Sequence, residues 1–360
     1  MTGSPSIRRR GLLTDGRFAL LAGLTLLVIL GIGLTPTILR EQTRDWIAYE
    51  QAASRLVAGG PLYVFQLPTP DDEYYLYPPL GAAIWAAVGS PEGLLALKVL
   101  ALLSVGLMAT RVTSSARPIE RSFVAIALAA AALFAPPDFH DLVLGNVMAL
   151  YVGAVAISLA RPGWLGSIPL GLVCALALKP VIAPYFIWLA IRRRTDLLRI
   201  IAVGLVASAI CAAVVGPGRY IEYVLALPRL SVLVDWKSGN VGLGSIFREA
   251  ALVGVAIAYI VTFVGSRRLD PARGAAVAVA AGLLAQPTIG FDYAGLLLPA
   301  VVMLWAGDRV AGLVACVVVP FATIISPPLG AVVVMALALS GIGDRATAKE
   351  AAGLPATVPP

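Results

Sequence analysis

Carboxylates, fixed cations and tyrosines are the side chains in this sequence that could do chemistry. Asp45 follows an apolar run and opens a segment in which Trp46, Tyr49, Ala53, Leu56 and Val57 recur at helical spacing until Gly59-Gly60. The pattern predicts an amphipathic helix of about 13 residues stopped by glycine, with its Trp and Tyr in the headgroup layer. Asp45 could simply cap that helix, a contribution of about 1 kcal/mol. At a membrane interface the same carboxylate could act as a general base, taking a proton from a sugar hydroxyl. Lys179 sits between two apolar runs, where an uncompensated ammonium costs about 3 kcal/mol. Snorkelling to the surface would relieve that cost, and so would contact with the phosphate of a lipid-borne substrate. Arg248 is a second candidate for phosphate, because a guanidinium binds its oxygens in bidentate fashion.

His140 lies between Asp138 and Asp141. Such a cluster can cap the following helix, or the imidazole can act as a base or proton relay. It is the single histidine, which excludes a multi-histidine metal site. Asn146 is polar inside an apolar run and is expected to face a cavity rather than lipid. Asp292 and Tyr293 stand at a helix end and are candidates for acceptor binding. Tyr63, Tyr74, Tyr75 and Tyr77 present flat amphipathic faces that suit either sugars or an interfacial aromatic belt. Pro78 after Tyr77 imposes extended backbone there. The run Asp71-Asp72-Glu73 reads as a solvated loop, with unspecific metal binding as the other possibility.

The elements that must position these groups are helices in a bilayer. The 360 residues are 59% hydrophobic and 13% charged, against about 25% charged for an ordinary soluble domain. A soluble enzyme is excluded, and the absence of alternating strands excludes a transmembrane barrel. The net charge of +7 does not imply nucleic acid, because in a membrane chain the position of each charge outweighs the sum. Cys174, Cys211 and Cys316 each lie in an apolar run and read as small buried hydrophobes, with no disulfide framework or zinc cluster. Apolar segments near 18–39, 79–110, 122–136, 142–160, 164–178, 181–191, 199–215, 249–266, 274–289, 291–306, 309–326 and 328–343 give an all-α polytopic integral membrane protein of about 12 transmembrane or half-spanning helices. The pieces at 164–178 and 181–191 are short and read as half-helices around Lys179-Pro180.

Arginine clusters at 8–10, 192–194 and 267–268 fall in connections assigned to the cytoplasm, while most acids fall on the other side. Residues 1–343 therefore read as one transmembrane domain in the cell membrane, with both ends inside, the first segment a retained anchor and 344–360 a disordered cytoplasmic tail. The two long connections, 40–78 and 216–248, are both external. Long loops beside a compact bundle usually carry function, so the chemistry is expected there.

Behind the first apolar run stand, in order, Asp45, the helix with Tyr49, Gly60-Pro61-Leu62-Tyr63 and the run YLYPPL from Tyr75 to Leu80. This pattern resembles family 87 of the GT-C glycosyltransferases (the DUF2029 group), polyprenyl-phosphate-mannose-dependent alpha-mannosyltransferases. Across the rest of the chain Gly145-Asn146-Val147 is similar to that family's Gly-Gln-Val-Asn element, Leu178-Lys179-Pro180 to its Lys-Pro element, and Gly239-Asn240 with Ser245 and Arg248 to its Asn-Ser...Arg stretch. The resemblance implies a GT-C-type bundle and gives Asp45 the role of catalytic base. One departure stands out: where the family tends to have Ser-Trp followed within two residues by His, this chain reads Pro287-Thr288-Ile289-Gly290-Phe291-Asp292-Tyr293. Asp292 or Tyr293 then replaces that histidine, or acceptor recognition differs, or activity is lost.

The expected function is inverting transfer of a sugar, mannose by resemblance, from a polyprenyl-phosphate donor to a lipid or glycan acceptor on the extracytoplasmic face. Asp45 would be the base, Lys179 and Arg248 would hold the donor phosphate, and Tyr49, Tyr63, Tyr77, Pro78, His140, Asn146, Asn240, Asp292 and Tyr293 would bind substrate. Fixed cations stabilise a departing phosphate, so no metal or other cofactor is expected; the partners are membrane lipids, donor and acceptor. Two alternatives remain: a transporter or flippase of an amphipathic solute, with Lys179 and Asp292 at a midplane site, and a degenerate binder of lipid-linked sugar.

Overall fold

The computed structural model describes residues 44–65, 74–112, 147–233, 242, 251–286, 289 and 291–340. The expected segments at 18–39 and 122–136, and the tail at 344–360, lie outside the described residues. Those residues form only helices and their connections: α1 (Arg44–Val57), α2 (Pro79–Val88), α3 (Pro91–Val112), α4 (Met148–Ala160), α5 (Trp164–Leu176), α6 (Ala183–Arg192), α7 (Arg194–Val215), α8 (Gly218–Leu233), α9 (Ala251–Arg268), α10 (Pro271–Ala285), α11 (Leu297–Gly307), α12 (Arg309–Ile325) and α13 (Pro327–Ser340), with 3-10 turns at Pro180–Ile182 and Phe291–Leu296.

Two of these helices, α7 and α9, are long and apolar enough to cross a membrane; α2 and α3 together would make a third crossing. The expected single span at 79–110 is instead two helices bent by 107°. Gly89 takes a left-handed φ of +63° that ends α2, and Pro91 starts α3, because proline cannot continue an existing helix but fits a first turn. Two short apolar helices, α5 and α6, flank Lys179-Pro180 and are separated by a 3-10 turn.

Helix α10 is the centre of the bundle. Every residue from Arg273 to Ala285 is buried, and α6, α9, α11 and α13 pack around it. Its Ala and Gly residues let these neighbours approach closely. On the other flank α4 lies between α3 and α5. Gly153 of α4 faces the Ala101 backbone of α3 so closely that a Cβ there would clash. By contrast α7 exposes Leu205, Val206, Ile210 and Val214, α9 exposes Leu252, Ile257 and Ile260, and α12 exposes Val310, Phe321 and Ile325. Apolar area of that extent on the outside of a bundle is compatible with contact to lipid.

Polar contacts divide the bundle into two ends. At one, Arg192 donates to the carbonyls of Ser266, Arg267 and Leu269, and Arg193 donates to that of Ser158. Asp196 accepts from the Gly163 amide and pairs with Arg199, and Arg273 pairs with Asp308. These residues belong to the connections in which the sequence concentrates arginine. At the other end residues 59–63 of the first expected loop meet residues 219–223 of the second. The second is not irregular at its start: Gly218–Leu233 is helix α8, because Tyr220, Tyr223 and Ala226 repeat at helical spacing and turn toward the protein. The helix of the first loop is present as Arg44–Val57 and stops before Gly59, at a φ of +73°. Its Trp46 and Tyr49 are buried, at 5% and 1% exposure, since α2 packs against this helix.

Candidate functional site

The site is built around the break after α5. The residue before a proline is driven out of the helical region, and Lys179 is extended at φ −114° and ψ 128° before Pro180 opens the 3-10 turn. A break inside the bundle frees backbone groups that need partners. Tyr151 of α4 supplies two bonds: its hydroxyl donates to the Ala177 carbonyl and accepts from the Lys179 amide at 3.2 Å. Gly282 of α10 then seats the turn, its missing Cβ leaving room for the Val181 carbonyl. Leu178 is turned out and Lys179 is turned in, at 62% and 6% exposure.

The inward Lys179 ammonium donates to the Tyr293 hydroxyl at 3.2 Å. It lies 4.7 Å from the Tyr293 ring centroid and 5.5 Å from that of Tyr77, close enough for the ring faces to attract the cation. Tyr293 comes from the 3-10 turn before α11, and Tyr77 from the extended stretch before α2. Three segments distant in sequence thus converge on one cation.

Tyr77 is itself held by an aromatic wall. Its ring is 5.5 Å from Tyr49 and 5.9 Å from Tyr75, while Tyr49 stacks on Trp85 at 5.5 Å. Pro78 and Pro79 have no amide hydrogen, so this stretch cannot join regular structure through its own donors. Its carbonyls are taken by tyrosines instead: the Tyr63 hydroxyl donates to the Tyr77 carbonyl and the Tyr75 hydroxyl to that of Pro78, each at 2.8 Å. Burial pushes the Tyr63 and Tyr75 hydroxyls well above the usual tyrosine range, so both stay protonated donors. Tyr63 reaches this position because Glu222 of α8 accepts from the Leu62 and Tyr63 amides at 2.7 and 3.1 Å.

Of the residues expected from sequence, Tyr49, Tyr63, Tyr77, Pro78, Lys179 and Tyr293 are brought together. Asp45 lies inside the first turn of α1, one turn before Tyr49, rather than preceding the helix; its carboxylate is outside the described residues, as is the Asp292 side chain. His140, Asn146, Asn240 and Arg248 lie outside the described residues altogether. Tyr75, one of the tyrosines read from the sequence as a flat face for sugars, joins the residues brought together, and the structure adds Tyr151, Glu222 and Tyr223. Tyr151 has a sequence signal, a polar group in an otherwise apolar helix, whereas Glu222 and Tyr223 stand in a helix with several polar residues, and nothing local says which of them turns inward. A buried lysine, Lys98 of α3, at 1% exposure, carries the same signal. Among the described residues no group of three or more His, Cys, Asp and Glu is placed to hold a metal.

Comparison with protein-family models, with curated proteins and with solved structures finds no match for this chain.

Proposed function

We propose that this chain is a polytopic membrane glycosyltransferase that moves a sugar from a polyprenyl-phosphate donor to a lipid or glycan acceptor. The observation that carries the reading is the meeting of Lys179 with Tyr77 and Tyr293 at a broken helix. A cation there, walled by tyrosines and next to the outward Leu178, suits a ligand with an anionic head, a sugar and a greasy tail. Such a donor cannot leave the bilayer, which accounts for an enzyme this apolar.

In the reaction Asp45 takes the proton of the acceptor hydroxyl as its oxygen attacks the anomeric carbon. The bond from that carbon to the phosphate oxygen breaks, and its electron pair leaves with the polyprenyl phosphate. Lys179 and Arg248 stabilise the charge that develops, while Tyr77, held from behind by Tyr49 and Tyr63, faces the sugar. One base and one stabilised leaving group suffice for inversion, without the carboxylate pair of glycoside hydrolysis. The resemblance to family 87 adds mannose and a GT-C-type bundle; the apolar segments add about 12 crossings, in which α5 and α6 are half-spans, and the position of the arginines adds the extracytoplasmic face.

Incubating purified protein with radiolabelled polyprenyl-phosphate mannose and candidate lipid acceptors tests the reading. Labelled product should form, and Asp45→Asn should abolish it with membrane insertion and folded yield intact. An Asp45→Asn variant that transfers at the full rate removes the base assignment. Movement of the lipid across vesicles without product favours the transporter.

A further inference from the structure

We propose that Glu222, on α8, is a positioning residue of the site: it holds the segment from Gly59 to Tyr63 so that Tyr63 fixes the Tyr77 carbonyl and Tyr77 faces Lys179. The chain of contacts is continuous. One carboxylate oxygen of Glu222 accepts from the Leu62 and Tyr63 amides. The other pairs with Arg219 at 3.0 Å, and Arg219 also donates to the Gly59 carbonyl at 3.1 Å. The Tyr63 ring is set from a second side by Tyr223, one residue along α8, at 5.6 Å. Its hydroxyl then reaches Tyr77, whose ring faces the Lys179 ammonium.

The chemistry of the acid explains the choice of residue. Leu62 is fully buried and Tyr63 nearly so, at 0% and 4% exposure, and two adjacent amides pointing the same way need one acceptor with spare lone pairs. A carboxylate meets that need and a neutral side chain meets it less well. The neighbours of Glu222 on the outer face of α8, Ile221, Val224 and Leu225, are 61%, 62% and 71% exposed. The helix therefore turns its polar group to the protein and its apolar groups outward, and its one inward acid falls on this segment.

The inference rests on the proposed transferase reading for its activity arm and for the protection by polyprenyl phosphate, but not for exchange in the protein alone. In nanodiscs, Glu222→Gln should lower kcat/KM for mannose transfer about tenfold, and Tyr63→Phe by a similar factor. If Glu222 acts through Tyr63, the double variant should lose little more than the worse single one, whereas independent roles would multiply to about a hundredfold. Hydrogen exchange supplies a readout that needs no transfer. Glu222→Gln should speed exchange in the peptide over 59–63 and also over 75–82, and added polyprenyl phosphate should protect 75–82 less than in the wild type. Multiplicative losses overturn the proposal, as does unchanged exchange over 75–82. Absent transfer by the wild type overturns the enzyme reading and leaves the exchange arm to decide this one. Glu222→Gln keeps the shape of the side chain, and Arg219→Lys provides a second, milder variant expected to shift the same peptides.

Discussion

Replacing Gly282 by alanine perturbs the site from behind, without touching any group that would meet substrate. A Cβ at this position would press on the Val181 carbonyl and come to 3.3 Å from both the Val181 carbonyl carbon and its Cγ2. Backbone cannot swing aside as a side chain can, so the turn Pro180–Ile182 must move by about 1 Å to restore ordinary contact. Overpacking of this kind costs about 1–3 kcal/mol, and alanine returns about 1 kcal/mol of helix propensity in α10. Net destabilisation of about 0–2 kcal/mol follows. The displacement is felt two residues away at Lys179, where a misplacement of about 1 Å is worth about a hundredfold in rate. Thermal unfolding and initial rates of transfer, measured on the same preparation, should therefore separate: a small loss of stability and a large loss of rate. Gly265→Ala is the control, because its Cβ would meet only the side-chain carbons of Leu269 and Val277, at 3.4 Å. It should keep transfer within about twofold of wild type. A Gly282→Ala protein that transfers at the wild-type rate, or whose rate falls only with its folded fraction, would refute the idea that this contact places Lys179.

Lys179→Met keeps the length of the side chain and removes the charge; loss of an attraction worth about 4 kcal/mol at 4 Å and an effective dielectric of 20 should lower transfer by at least a hundredfold, and polyprenyl-phosphate affinity should fall with it. Arg273→Met breaks the pairs with Asp308 and Asp270 at the opposite end, where the partner side chains are 28% and 17% exposed. Discounted for that solvent access, the cost should be about 2 kcal/mol, seen as a lower thermal midpoint with unchanged transfer per folded molecule. Stability should also fall as pH rises above about 10, because Tyr63 and Tyr75 ionise in the unfolded chain before they do in the folded one, at about 1.4 kcal/mol per pH unit for each. Chemical denaturation at pH 8 and pH 11 measures this, and Tyr63→Phe should reduce the difference.

Much of the local structure is legible in the sequence. Gly59-Gly60 ends α1 because only glycine takes its φ of +73° cheaply, and Lys179 is extended because Pro180 follows it. Asp270-Pro271 and Asp308 mark the starts of α10 and α12, where each carboxylate accepts from two amides of the first turn. These are nearest-neighbour effects, and a chain carries them wherever it folds. The helical class and the arginine-rich end follow as plainly, because composition and charge position act before packing does.

Packing decided the rest. Periodicity sets which face of α1 is apolar but not what covers it, and only the packed helices show that α2 lies over Trp46 and Tyr49. Gly89 breaks one apolar run into two crossed helices, a bend that hydropathy cannot register because both halves are apolar. The partners of Lys179 stand more than 100 positions away on either side, at Tyr77 and Tyr293, and Glu222 reaches Tyr63 across the two loops. Sequence determined that a cation would sit at a broken helix; only the tertiary structure determined that tyrosines surround it, because contact between distant segments depends on how helices cross and not on what either segment prefers alone.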